Sequence, residues 1–468
     1  MVSANTLINK ILNVKDMFNE SIDIVENPVT GIREISIHAR PYKRLTDTCP
    51  YCMNSDKPCK KMRPRYDRSG QEKSWRALDW NNLRVFIVGP ANRVKCPIHG
   101  VVTIWVPWAE QDCSFTKDFD YLVAWLGERL SKTDVAELMM IDWETVGRCM
   151  SRVRKDLEPD STVRYNGLVN IGIDETSYKK GHKYITVVVD HDRNQVVWVH
   201  KGKGREIIDM FFEELSEEQR ASIKVVTGDG ARWISDSVRH YCPGATRCMD
   251  SFHVVEWVNE ALGSLRVSLY KRAQRELNRL QKLAEKQSVP GPDGKKKRGR
   301  PPKDKVTAEQ LAQAKATVMD LDKTKYPLAK NPENLTENQQ VKLELIQNSY
   351  PELYEAYQMK EELRLILHLT DAEECRSLLE NWVTKAKECS IKEFQSLAEK
   401  IDRNKEYILN TIRVKMSNAR IEATNNKIKL IIRRAFGFRN IQHLIDMIML
   451  ICSDLIVRLP NRPLRNVA

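Results

Sequence analysis

The sequence predicts a multidomain α+β chain, and three observations carry that reading. Two ligand-x-x-ligand pairs near the amino terminus, CPYC and CPIH, mark a small metal-stabilised module. Between residues 165 and 283, apolar runs of strand length give way to alternating strands and helices, which is α/β patterning. Residues 307–410 read as helix almost throughout, so a helical block interrupts that core.

The bulk properties bound the class. A chain of 468 residues holds roughly three domains, and 41% hydrophobic residues support a sizeable core. The net charge of +13 calls for a polyanionic partner. No run of about 18 apolar residues is present. The best stretch, 444–457, is broken by Asp446 and Asp454, and the first thirty residues are mixed and charged, unlike a signal peptide. A cytoplasmic protein is expected, with nucleic acid and not a membrane as its partner. Eleven Cys are too sparse for a disulfide scaffold. In a reducing compartment clustered Cys mean metal and scattered Cys mean core.

Residues 1–40 form an opening segment. A helix is expected over 5–25, with Leu7, Ile11, Leu12 and Ile24 apolar, and then a strand over 32–38. The zinc-binding module spans 41–115. Cys49 and Cys52, with Cys96 and His99, supply three thiolates and an imidazole for one tetrahedral Zn²⁺. Cys59 or Cys113 could replace His99. The separation exceeds that of a simple finger and contains strand-like segments at 75–80 and 83–88, so a small sheet fits between the pairs. Lys43, Arg44, Lys57, Lys60, Lys61, Arg63, Arg65 and Arg68 surround the first pair. That surface suits phosphate contacts or a solvated loop.

Residues 116–160 read as a helix-turn-helix. A helix over 119–129 places Tyr121, Leu122, Trp125 and Leu126 inward. Ser131 caps a short helix, Met140 to Asp142 turn, and a second helix starts at Trp143 with Val146, Met150 and Val153 apolar. Its outer face offers Glu144, Thr145, Arg148, Arg152 and Lys155. Arg148, Arg152 and Lys155 are the candidate DNA contacts.

The first part of the core spans 165–283. The stretch GLVNIGIDET reads as a buried strand ending on Asp174, with Val169, Ile171 and Ile173 on one face and the small Gly172 beneath the carboxylate. Taken alone, Asp174 reads first as a turn cap. Glu175 points the opposite way and stays outside the site. Strands KYITVVVD and QVVWVH follow through tight turns, then a helix over 205–215. A fourth strand ends at Asp229, a helix covers 231–240, a fifth strand ends at Asp250, and a long helix starts at Phe252. Three antiparallel strands followed by a helix-linked parallel pair is the RNase H-like order. It makes the strands of Asp174 and Asp229 neighbours.

A third acid is expected on a later helix. Residues 411–468 form the last part of the core, and SNARIEATNNKIKLIIRRAFGFRN offers Glu422. Ser417 is the expected cap, and Ile421, Ile428 and Ile432 line one face. Glu422, Asn425, Asn426, Lys429 and Arg433 line the other. Lys429, Arg433 and Arg434 are candidate DNA contacts. Between the two parts lie a basic linker, 284–306, and the all-helical insertion, 307–410. KKKRGRPPK in the linker resembles an AT-hook, in which Arg298 and Arg300 enter an A·T minor groove. In the insertion, Tyr354, Tyr357, Leu363, Leu365, Ile366, Leu369, Trp382 and Phe394 supply apolar positions.

GIDETSYKKGHKYITVVVDHD, GDGARW, MDSFHVVEWVNEAL and ARIEATNNKIKLIIRRAFGFRN resemble the catalytic blocks of bacterial insertion-sequence transposases of the ISL3 family. CPYC with CPIHGVVTIWVPWA is similar to that family's zinc-binding amino terminus, and WETVGR to its helix-turn-helix. The likeness runs from about residue 45 to 455 with the blocks in order. It implies a DDE triad at Asp174, Asp229 and Glu422, and it singles out Asp250 and His253 in DSFH. Ala419 stands where the family commonly has Gly. The resemblance implies two Mg²⁺ (or Mn²⁺) at the acids and structural Zn²⁺ at the Cys/His set. It implies binding of double-stranded DNA at terminal inverted repeats and target, cleavage and strand transfer, and a dimer or higher assembly in a nucleoid-associated, cytoplasmic setting. The alternatives are a domesticated, non-catalytic DNA-binding regulator and an RNase H-type nuclease or resolvase.

Overall fold

The computed structural model describes residues 3–26, 31–55, 57–67, 70–81, 83–288, 306–416, 419–460 and 462. Helix α1 (Ala4–Ile11), capped by Ser3, leads into strand β1 (Met17–Glu26). The helix expected over 5–25 therefore ends early. Asn13 and Asp16 adopt left-handed conformations, at φ 53° and 60°, which no α-helix continues. Strand β1 pairs antiparallel with β2 (Arg33–Pro41). After the short helix α2 (Pro50–Met53), β3 (Glu72–Arg76) and β4 (Arg84–Pro90) join them in one sheet of order β1-β2-β4-β3. The boundary expected at residue 40 thus falls inside this sheet. Its core includes Ile37, Ile87, Trp75 and Trp108. A separate hairpin, β5 (Arg93–Cys96) and β6 (Gly100–Thr103), carries the second ligand pair.

Helices α3 (Lys117–Gly127), α4 (Lys132–Met139) and α5 (Trp143–Leu157) form the helix-turn-helix. Thr116 and Ser131 cap α3 and α4 through their hydroxyls, and Met140 closes α4 in the left-handed region. Helix α5 is buried on two sides. Val146, Met150 and Val153 face α3, while Gly147 and Ser151 face the carboxy-terminal helix described below.

The central sheet contains β7 (Asn170–Lys179), β8 (Lys183–Asp190), β9 (Gln195–Lys201), β10 (Val225–Gly228) and β11 (Thr246–Met249), in the order β11-β10-β7-β8-β9. The first three run antiparallel, and β10 lies parallel to both β7 and β11. Helices α6 (Arg205–Glu214), α7 (Glu217–Ser222) and α8 (Arg232–Tyr241) stand between β9 and β11 in sequence. Strand β8 is apolar on both sides because both faces of the sheet are covered. Ile171, Ile173 and Val188 pack with Ile208 and Phe211 of α6, whereas Val187 and Val189 pack with the helix-turn-helix and the chain's last helices.

Helix α9 (Ser251–Ser288) passes beyond the expected edge of the core at 283 and enters the helical block. That block comprises α10 (Ala308–Lys323), α11 (Lys325–Ala329), α12 (Glu337–Ser349), α13 (Pro351–Ile366), α14 (Ala372–Glu388) and α15 (Lys392–Val414). Trp382, Phe394, Tyr357 and Leu363 lie in its core. Leu365 does not; it is exposed, because α13 turns that position outward. Helix α15 docks on β11: Asn410 and Thr411 donate to the carbonyls of Arg247 and Met249 at 3.1 and 2.7 Å. Helices α16 (Ala419–Arg434) and α17 (Ile441–Cys452) then close the second face of the sheet. Among the described residues no helix is long and apolar enough to cross a membrane, and the 444–457 stretch is largely the buried helix α17.

Candidate active site and metal centre

The amino-terminal ligand pairs converge. Cys49 and Cys52 flank the start of α2, Cys96 ends β5, and His99 sits in the β5–β6 turn. His99 Nδ1 is 3.5 Å from each of the three sulfurs, and Cys52 Sγ is 3.7 Å from Cys96 Sγ. A tetrahedral ion with Zn–S about 2.3 Å and Zn–N about 2.0 Å requires edges of about 3.8 and about 3.5 Å. The quartet has that size. Cys59 lies beside it and Cys113 belongs elsewhere, hydrogen-bonded to Phe115 near Asp120, so His99 completes the quartet. Burial opposes ionisation of Cys96, but the backbone N–H groups of His99 and Ile98 and the side chains of His99 and Cys52 outweigh it and bring the thiol to about 6. Burial pushes Cys49 up to about 11. The Arg63 guanidinium lies 3.8 Å from Cys52 Sγ and 3.7 Å from Cys59 Sγ. It would offset the negative charge that three thiolates leave on a bound divalent ion.

The acids assemble at the end of the central sheet. Val225, Val226 and Thr227 pair in parallel with Asn170, Ile171 and Gly172, which carries Asp174 and Asp229 to the same end. Burial raises the pKa of Asp174. The Glu175 N–H, the charge of His253 and the Asn425 amide pull it down, while the like charge of Asp229 pushes it further up. Asp229 Oδ1 accepts the Ala231 N–H at 2.9 Å, and the Asp229 carbonyl accepts the buried Arg247 guanidinium.

Helix α16 crosses β7 because Gly172 leaves room for it. A Cβ there would lie 2.0 Å from Ile421 Cδ1. One turn on, Asn425 is buried and donates to Asp174 Oδ2 at 2.5 Å. The sequence predicts Asn425 on the polar face. The inward face instead runs Ile421, Asn425, Ile428, Ile431, and Ile432 is only half-buried. The spacing i, i+4, i+7 with Asn among three Ile was the signal available. Glu422, three positions before Asn425, is exposed. Among the described residues the Cys/His quartet is the one group of at least three such side chains with all donor atoms within 4.8 Å, so Asp174, Asp229 and Glu422 do not converge that closely. Half-buried His253 faces Asp174 electrostatically and lies 3.5 Å from Glu256. Asp250 caps α9 by accepting the Phe252 N–H at 3.1 Å. Glu175 accepts the Gly204 N–H at 3.1 Å.

The candidate DNA-contacting cations divide into two sets. Arg148, Lys155, Lys429 and Arg433 are exposed. Arg152 is committed internally, forming a two-point pair with buried Asp120 at 2.6 and 2.7 Å, and Thr145 is buried as well. Arg434 donates to the carbonyls of Gly127 and Glu128, at 3.3 and 2.9 Å, at the end of α3. Both arginines were expected on DNA, but each satisfies groups that burial had stripped of water. Arg298, Arg300 and Ser417 lie outside the described residues. Arg152→Ala is expected to destabilise the fold by about 3–5 kcal/mol, because it leaves Asp120 buried and unpaired. Arg148→Ala should leave the melting temperature unchanged and reduce the salt slope of DNA binding by about one. Melting curves and salt titrations of both variants check the division.

Helix α5 also meets α17 at close range. A Cβ on Gly147 would lie 2.2 Å from His443 Nδ1, and Arg154 pairs with Asp446 at 2.7 Å. The helix-turn-helix is therefore seated on the acid-bearing core by a shared interior.

A helix-turn-helix built onto an acid-bearing α/β core is an arrangement suited to DNA rearrangement, and sequence comparison places the chain in such a class. A family profile described as a transposase matches residues 171–448. A second, described as the helix-turn-helix domain of transposase family ISL3, matches residues 106–154. The chain belongs to this transposase family. It is 39% identical over 443 residues to the transposase for insertion sequence element IS1557 of Mycobacterium tuberculosis, in strains CDC 1551 / Oshkosh and ATCC 25618 / H37Rv, covering 95% of this chain and 94% of the relative. It is 27% identical over 340 residues to the transposase for insertion sequence element IS1001 of Bordetella parapertussis, covering 68% of this chain and 73% of that one.

Proposed function

We propose that the chain is a DDE transposase with an RNase H-like core, which binds the terminal inverted repeats of an insertion sequence and cleaves and transfers its strands. The observation that carries this reading is the pairing of Asp174 and Asp229 at the same end of adjacent parallel strands, with α16 packed across Gly172. Two carboxylates beside each other, one of them desolvated, favour a divalent cation between them. Among the described residues Asn425 Oδ1 is buried without a hydrogen-bond partner, a further oxygen on the side chain that holds Asp174. These residues fit Mg²⁺ or Mn²⁺, with Glu422 as the third acid. Bound there, paired divalent ions would activate the attacking oxygen and stabilise the leaving one in an in-line displacement. The protein's own part is positional. The Glu175 N–H and the Asn425 amide fix the two oxygens of Asp174, Arg247 anchors the backbone at Asp229, and His253 sets the local charge.

The Cys/His quartet is read as structural zinc that rigidifies the amino-terminal module. That module and the helix-turn-helix, through Arg148 and Lys155, would read the repeat. Two element ends must be joined, so a dimer or higher assembly is expected. Incubating the full-length protein and Mg²⁺ with an end-labelled duplex of the element terminus, then mapping the nicks, tests the reading. Nicks at the junction of repeat and flank are the expected result. Binding without metal-dependent nicking would leave a DNA-binding regulator instead.

A further inference from the structure

Strand β7 does not stop at its carboxylates. It runs on to Lys179 and returns as β8 from Lys183, beyond the point where β10 ends at Gly228. At about 3.3 Å per residue, the tip stands about 17 Å past Asp174. Lys179, Lys180, His182 and Lys183 are all exposed there. Lys201 pairs with Ile185 at the end of β9, and the loop into α6 adds exposed Lys203 and Arg205. Residues 176–186 and 195–205 contain no Asp or Glu. Arg205 pairs with Asp209 at 3.4 Å, but among the described residues none of the five lysines enters an ion pair.

This basic surface is held rigidly to the acids. Gly181 and His182 make the turn at φ 87° and 57°. The Ser177 hydroxyl reaches the carbonyls of Lys179 and Lys183 at 3.3 and 3.4 Å, and the Thr186 hydroxyl donates to the Gly202 carbonyl at 3.0 Å. Lys203 lies 4.2 Å over the Tyr184 ring. Glu175, the neighbour of Asp174, binds the Gly204 N–H at the start of α6. The tip and the loop therefore move with the strand that holds the candidate catalytic acid.

A phosphodiester approaching Asp174, Asp229 and Glu175 meets like charge, so the phosphates beside it need cations. Arg152 and Arg434 are engaged inside the fold and cannot serve. We propose that the β7–β8 tip and the β9–α6 loop grip the phosphate backbone of double-stranded DNA as it crosses the acid site. This rests on the acids being a DNA-cleaving site. At about 3.4 Å per base pair, a tip about 17 Å away meets phosphates roughly five base pairs from the nick.

The test uses full-length protein carrying Lys179→Gln, Lys180→Gln and Lys183→Gln together, with duplexes of element end and of random sequence. Binding measured against salt should lose about 0.9 of slope per phosphate contact, roughly two to three in all, and equally on both duplexes. Phosphate-ethylation interference about five base pairs from the nick should disappear while interference over the repeat remains. A wild-type slope with unchanged interference overturns the proposal, as does a loss confined to the repeat. If the triple variant melts early, Lys180→Gln alone should still remove about one contact. Asp174→Ala separates the two readings: it should retain the full salt slope. If the wild type makes no nick, the cleavage reading fails, and the slope comparison still decides whether the platform holds DNA.

Discussion

Asp174→Ala is expected to lower metal-dependent strand cleavage by at least about 10³-fold, more than about 4 kcal/mol of barrier at 1.36 kcal/mol per tenfold. The carboxylate is desolvated and lies beside Asp229, and Asn425 and the Glu175 N–H fix its orientation. No neighbouring side chain can take over both the charge and that geometry. Asp229→Ala should act alike, since its strand delivers the second acid to the same end. End binding should survive in both, because the elements proposed to read the repeat do not include these carboxylates. Mobility shifts and nick mapping on one preparation separate the effects. Cleavage within tenfold of wild type would remove Asp174 from the chemistry. Glu422→Ala is the more informative partner, since Glu422 is exposed and the three carboxylates do not all lie within 4.8 Å of one another. Loss of cleavage there would mean that the three acids draw together only on DNA and metal.

Cys96→Ser should empty the amino-terminal metal centre. Structural zinc contributes about 10–16 kcal/mol of apparent binding free energy in small modules, and here that energy would tie α2 to the β5–β6 hairpin. The expected outcome is loss of one zinc per chain by elemental analysis, new proteolytic cleavage within residues 41–115, and end binding weakened by at least about tenfold. The central sheet has its own cores and should melt as before. Full zinc content in the variant would mean that the quartet is not the site. Chelation of the wild-type protein should reproduce the proteolysis pattern and be reversed by added zinc.

Much of the architecture was legible because its signals are local. The strands around Asp174 and Asp229 are short apolar runs bounded by turn residues, and α4 and α5 are set by a Ser cap and a tight turn. The ligand pairs are legible for the same reason, since both members of each pair lie on one short turn. The first helix was misread because Asn13 and Asp16 look like ordinary polar helix positions, yet their left-handed backbone ends the helix. Strand β1 then depends on β2, a partner further along the chain.

Residue type and spacing are enough for the inventory: a Cys/His set, a helix-turn-helix, strand-borne acids and a helical block between them. Tertiary structure alone decided which polar groups remain available. Arg152, Arg434 and Asn425 all carry the composition of surface residues. Packing α5 and α16 against the core buried unsatisfied partners, namely Asp120, the α3 carbonyls and Asp174, and these long-range contacts claimed the three side chains. The lysines of the β7–β8 tip stayed exposed because β7 runs on past the end of β10. A buried group without water must find its partner within the fold, and that demand cannot be read from residue type or spacing.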